Sequence, residues 1–99
     1  MVTFVRTAVA LPGKIFEALA VAKEIAALVK RTTGAELAVA TGFGGVFGEI
    51  AWVSHPDSLA QMEEMNAKLM GEAEVRTAFK KWETLLVPGA SRDHIWVHV

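Results

Sequence analysis

The chain has no cysteine. That excludes a disulfide framework, a thiolate nucleophile and any cysteine metal site, and it suits a reducing compartment, so a cytoplasmic location is expected. Charge of one sign is also missing, since 10 Lys plus Arg against 11 Asp plus Glu give a formal net charge of -1. Such a surface offers no electrostatic footprint for a phosphate backbone, and nucleic acid is not an expected partner. Long apolar runs are absent too. The longest uncharged run, residues 37–48, is far short of the ~20 apolar residues of a membrane span, so no membrane partner is expected. Arg6 falls inside the first strand pattern, and no signal-peptide core surrounds it. What the chain has in excess is apolar residues, 53% of 99, against ~45–50% in an ordinary soluble domain. A chain of this length is one domain, residues 1–99, and buries only roughly 60–70% of the surface that its unfolded form exposes. Part of the apolar surplus is therefore expected to cover a partner.

In chain order, Val2 to Leu11 is rich in β-branched residues and stopped by Pro12-Gly13, which predicts a strand with two largely apolar faces. Lys14 to Arg31 carries Ile15, Ala18, Leu19, Ala22, Ile25, Ala26 and Val29 on one stripe, the spacing of a helix lying on a sheet. Phe16 falls outside that stripe, as a surface aromatic or an interface contact, and Gly34 stands where a left-handed cap belongs. Glu36 to Thr41 and about Val46 to Val53 predict two strands joined by the hairpin Gly42-Phe43-Gly44-Gly45. Ser54-His55-Pro56-Asp57-Ser58 holds two helix-starting signals, with Ser54 or Ser58 as the N-cap. Helical spacing then runs from Leu59 to Leu86, interrupted at Gly71, which predicts one bent helix or two consecutive ones. Pro88-Gly89 ends the segment, and His94 to Val99 closes the chain as a fourth strand.

No motif in this pattern is strong enough to name a reaction. Gly42-Phe43-Gly44 begins like a dinucleotide fingerprint, but Phe47 stands where its third glycine belongs, and the loop leads into a strand instead of a helix N-terminus. His94 and His98 share a strand face with Trp96, yet at about 3.3 Å per residue they stand about 13 Å apart, whereas a zinc-bound imidazole nitrogen lies about 2 Å from its metal. One ion cannot bridge them, and no metal is expected. A single histidine suits acid or base chemistry near neutral pH, and it equally suits a solvated strand edge. The polar and aromatic groups on otherwise apolar strands are Arg6, Glu49, Trp52, His94, Trp96 and His98. Among them His98 and Glu49 are the catalytic candidates, and Arg6, Trp52, His94 and Trp96 the ligand-binding ones. Pairing of Arg6 and Glu49 within the sheet is the plainer alternative. Met62, Met65 and Met70 suit core and interface filling, and Trp82 the core.

Strand, helix, strand, strand, helix, strand is the split βαβ order of an α+β, ferredoxin-like domain with a four-stranded antiparallel sheet. Leu11-Pro12-Gly13-Lys14, the run Gly48-Glu49-Ile50-Ala51-Trp52-Val53-Ser54 leading into Pro56-Asp57-Ser58-Leu59, and the Val75 to Leu86 helix ending in Val87-Pro88-Gly89 narrow it. With these the chain resembles the dimeric α/β-barrel superfamily that contains the NIPSNAP-like and antibiotic-biosynthesis-monooxygenase-like families. The resemblance implies a homodimer joined through its sheets, with helices outside and a pocket for a small-molecule ligand inside. It implies two functions of different class: a cofactor-independent monooxygenase or isomerase acting on a small apolar or aromatic ligand, or a non-catalytic binding or assembly module. The haem-degrading type of the superfamily has an Asn in its first strand and a histidine in its last helix. Val2 to Leu11 and Val75 to Leu86 lack both, so haem is not expected and no cofactor is assigned.

The expectations that follow are a sheet in the order 4-1-3-2 with both helical segments on one face, and a pocket lined by the other sheet face and by the second helical segment, with Arg6, Glu49, Trp52 and His98 as its polar or aromatic members. Because both sets of alternating strand residues are apolar, one set should be covered by helices and the other by a second copy of the chain.

Overall fold

The computed structural model describes residues 1–99. It contains β1 (Val2–Val9), α1 (Ile15–Thr33), β2 (Ala38–Thr41), β3 (Glu49–Ser54), α2 (Leu59–Met70), α3 (Ala73–Glu83) and β4 (Arg92–Val97). The four strands form one sheet in the order β2-β3-β1-β4 with every neighbouring pair antiparallel. The expected order is thus found, and the three helices lie together over one face. The molecule is a slab 36 × 34 × 20 Å, the thickness of one sheet plus one helical layer.

Local chemistry accounts for the boundaries. α1 ends at Gly34, whose φ of 77° is open to glycine at little cost and whose N–H donates to the Lys30 carbonyl. Of the two proposed N-caps for α2, Ser58 is used: its Oγ accepts from the Gln61 N–H, while the Gln61 side chain accepts from the Asp57 N–H. The long helical segment resolves into two helices, since the chain turns at Gly71 and Glu72 takes extended backbone angles before α3.

β3 is shorter than expected at its start. The extended pattern was expected from about Val46, but Gly44, Gly45 and Gly48 all have positive φ, which an extended strand cannot contain. The connection between β2 and β3 therefore runs over residues 42–48, with Phe43 and Phe47 fully exposed on it. A Cβ on Gly48 would lie 3.4 Å from the Ala10 carbonyl oxygen, at the edge of ordinary contact, so the positive φ is what favours glycine there.

The core sits between sheet and helices. Ala8, Ala10, Ile50 and Trp52 from the sheet pack with Ala18, Val21, Ala22, Ile25, Leu28 and Val29 of α1 and with Val75, Ala78 and Trp82 of α3. Small residues on both sides let helix and sheet approach closely, and the two indoles fill the middle, with Trp52 and Trp82 ring centroids 4.8 Å apart. After α3 the chain doubles back beside the end of β1, with Ala10 bridged to Leu86 and Val87 N–H donating to the Val9 carbonyl.

Candidate functional site

Strand register decides which side chains share a face. Arg6 stands opposite Trp52 on one side and Asp93 on the other, Phe4 opposite Ser54 and Ile95, and Ala8 opposite Ile50. Since side chains alternate along each strand, Phe4, Arg6, Ala8, Ile50, Trp52, Ser54, Asp93 and Ile95 all face the helices. Thr3, Val5, Thr7, Val9, Ala38, Ala40, Glu49, Ala51, Val53, His94, Trp96 and His98 form the open face.

The expected grouping of site residues is corrected by this register. Arg6 and Trp52 lie on the helix side, whereas Glu49, His94, Trp96 and His98 lie on the open side. The alternation within each strand was legible, but the phase of one strand relative to its neighbour is fixed by pairing across the sheet. Val5 and Val9 consequently lie on the open side and Ile50 and Trp52 on the helix side.

A cleft of about 580 Å³ opens on the helix side, between the sheet and α2. Phe4, Leu37, Trp52, Phe79 and Ile95 supply apolar wall on one side, and Met62, Met65, Leu69 and Met70 of α2 on the other. It exists because α2, unlike its neighbours, has no buried residue. Flexible thioethers line it where α1 and α3 use close-packed Val, Ile and Ala. The concavity is thus on the face opposite to the expected one, and it includes the second helical segment as expected.

Its polar wall is an ion pair. Arg6 donates from Nε to Asp93 Oδ1 at 2.7 Å and from Nη2 to Oδ2 at 2.9 Å, a two-pronged contact that holds the guanidinium plane fixed. The same guanidinium carbon lies 5.6 Å from the Phe4 ring centroid. Hydrogen bonding to Arg6 holds the Asp93 carboxyl below the usual carboxylate range, and the same bond raises Arg6 above its ordinary value, with partial burial opposing both shifts. Glu63 and Glu83 are the other ionisable groups on the cleft wall.

Trp52 serves the core and the cleft at once. Its indole N–H donates to the Ala22 carbonyl at 3.2 Å, and its rings meet Trp82 and, edge-on, Phe79. The orientation of this aromatic wall is therefore fixed before any ligand arrives. Asp93 and Ile95 were absent from the sequence-based site. The last strand was expected to begin at His94, whereas it begins at Arg92, and the available signal was that Asp93 is the sole carboxylate between Glu83 and the last residue.

On the open face, Thr3 Oγ1 lies 2.7 Å from His98 Nε2 and 3.2 Å from His55 Nδ1. His94 and Trp96 lie on the same side, on an edge strand whose residues are all exposed. No three metal-ligating side chains gather anywhere in the fold, and no helix is long and apolar enough to cross a membrane.

No protein-family model matches this sequence, and no curated protein matches it. Solved structures do match it. An uncharacterised NIPSNAP domain protein from Burkholderia xenovorans superposes with a TM-score of 0.85 at 15% identity, over 100% of this chain and 95% of that one. A NIPSNAP family protein of unknown function from Agrobacterium tumefaciens gives 0.80 at 25% identity, over 97% and 86%. SnoaB, a cofactor-independent oxygenase from Streptomyces nogalater, gives 0.72 at 13% identity, over 98% and 91%. Element order, sheet topology and these superpositions agree with the resemblance carried by the sequence, and the chain has the ferredoxin-like fold of the superfamily that contains the NIPSNAP-like and antibiotic-biosynthesis-monooxygenase-like proteins.

Proposed function

We propose that this protein binds a small, ring-containing apolar molecule in the cleft under α2, and that it does so as a homodimer joined through the open face of the sheet. The observation that carries the ligand reading is the cleft itself, with mostly apolar walls, a preset indole in Trp52 and one fixed polar edge at Arg6 and Asp93. A pocket with such walls and few convergent polar groups is the usual form of a small-molecule site.

The dimer reading rests on the other face. Val5, Val9, Val53 and Trp96 meet no helix there, and Trp96 is 63% exposed. A slab 36 × 34 Å across offers roughly 1,000 Å² on that side, above the ~800 Å² per partner of a standard interface. Ala38, Ala40 and Ala51 leave shallow ground beside Val53 on the β2–β3 side, while Trp96 stands out on β4 at the other edge, a relief suited to a second copy of the same surface.

Binding is better supported than proton transfer by the expected candidates, because His98 and Glu49 lie on the face away from the cleft. A second reading, oxygenation of such a ligand without a cofactor, is supported by the fold shared with SnoaB, and a fold is shared by many activities. Calorimetric titration with 1-naphthol tests the ligand reading. Saturable binding, with one site per chain, is expected for the wild type, and Leu69→Trp, which fills the cleft, should abolish it while the circular dichroism spectrum is retained. Absence of saturable binding, or binding unaltered by a folded L69W variant, would overturn it.

A further inference from the structure

We infer that association through the open face is controlled by protons, acid driving the subunits apart. This rests on the proposed dimer and adds its regulation. All three histidines of the chain, His55, His94 and His98, stand on that one face, and none stands in the cleft or the core. Histidine is the side chain that ordinarily gains its charge between pH 5 and 8.

Two of the three converge. His98 Nε2 and His55 Nδ1 both contact the Thr3 hydroxyl, so the two nitrogens are no more than about 6 Å apart, a separation at which like charges repel. At neutral pH the hydroxyl donates to one ring and accepts from the other, or leaves one of them to water. Acid places two positive charges around one oxygen. Nearby backbone hydrogen bonds from Val2 to Pro56 and from His98 to Met1 hold the main chain of these segments together at the end of the sheet.

The other charged groups of the face do not compensate. Arg92, opposite Thr7 on β4, adds a positive charge and is occupied with the Gly89 and Ser91 carbonyls. Asp93 faces the helix side and is held by Arg6. Glu49 is the one carboxylate side chain on the strands of the face, and it stands opposite Val9, at the far end of β1 from Thr3, while Asp57, two residues beyond His55, lies exposed at the start of α2 with its N–H donating to the Gln61 side chain. A protonated imidazole on a free face keeps its water, whereas under a second sheet it loses it. Protons therefore bind the separated subunits more tightly. Association is in turn weakened by acid.

Sedimentation velocity at micromolar concentration tests this with the full chain at pH 8 and pH 5. The dissociation constant is expected to rise by about a hundredfold between the two, the effect of one histidine in each of the two subunits binding its proton about tenfold more tightly when the subunits are apart, while circular dichroism shows both samples folded. The triple variant His55→Gln, His94→Gln, His98→Gln should stay dimeric at pH 5. If that variant fails to fold, His98→Gln alone should reduce the pH dependence. A monomer at pH 8 would overturn the dimer itself. A dimer equally tight or tighter at pH 5, as would result from a copy setting Glu49 against these histidines, would leave the dimer standing and overturn only its proton control.

Discussion

α1 and α2 belong to one helical layer over one sheet, and they are held there in different ways. α1 buries Ala18, Val21, Ala22, Ile25, Leu28 and Val29, a stripe of small and branched side chains that lets it sit close against Ala8 and Ile50. α2 buries nothing fully. It is tethered by its Ser58 cap at one end and by Gly71 at the other, and it reaches toward the sheet with Met62, Met65 and Leu69 at half-exposed positions. Within a single layer, close packing makes the scaffold and incomplete packing leaves the cleft. Under the proposed function, stability and binding fall to different helices of the same chain.

The comparison can be broken most severely at Ile25. Its side chain is fully buried, and Ile25→Ala should destabilise by about 2–5 kcal/mol, the range for an unrelaxed core cavity, read from urea unfolding. Met65→Ala, its counterpart on α2, should cost under about 1 kcal/mol, because a half-exposed thioether on a cleft wall leaves no sealed cavity. Equal losses at the two positions would mean that α2 is core. The smallest effect concerns the ion pair on the cleft's polar edge. Arg6 and Asp93 are 37% and 46% exposed, so Asp93→Asn should cost a few tenths to about 1 kcal/mol at pH 7. Because the folded-state pKa of Asp93 is lowered by Arg6, this stabilisation is present above the unfolded carboxylate value near 3.9. It disappears as pH falls through the lowered value, where wild type and variant should converge.

How much of this was legible in the sequence depended on the range of the interaction. Helix positions in α1 and the left-handed cap at Gly34 followed from local periodicity and turn chemistry, which the chain carries in adjacent residues, and the strand order followed from the split βαβ order of the elements. The burial of Trp82 followed from its place on the α3 stripe. Glycine clustering was read correctly as a connection between β2 and β3, but its length was misjudged, since the sequence does not say which glycines take positive φ. The site was the least legible part. Arg6 and Trp52 were named, but their partner Asp93 lies 87 residues from Arg6, and only the β1–β4 register brings the two together. For the same reason His98 could not be assigned to the face away from Trp52, whereas Glu49, three residues before Trp52 on β3, was separable from it by alternation alone. A pocket was expected but on the wrong face of the sheet, because the cleft arises from what α2 fails to bury, and helical spacing marks apolar residues without saying how closely they pack.

The central claim is that the ligand site lies on the helix side, under α2. Amide and methyl chemical-shift mapping with 1-naphthol tests it most directly. The account predicts shifts at Met62, Met65, Leu69, Phe79 and Ile95, with Val5, Val53 and Trp96 unchanged. Shifts confined to Val5, Val53 and Trp96 would place the ligand on the open face and contradict it.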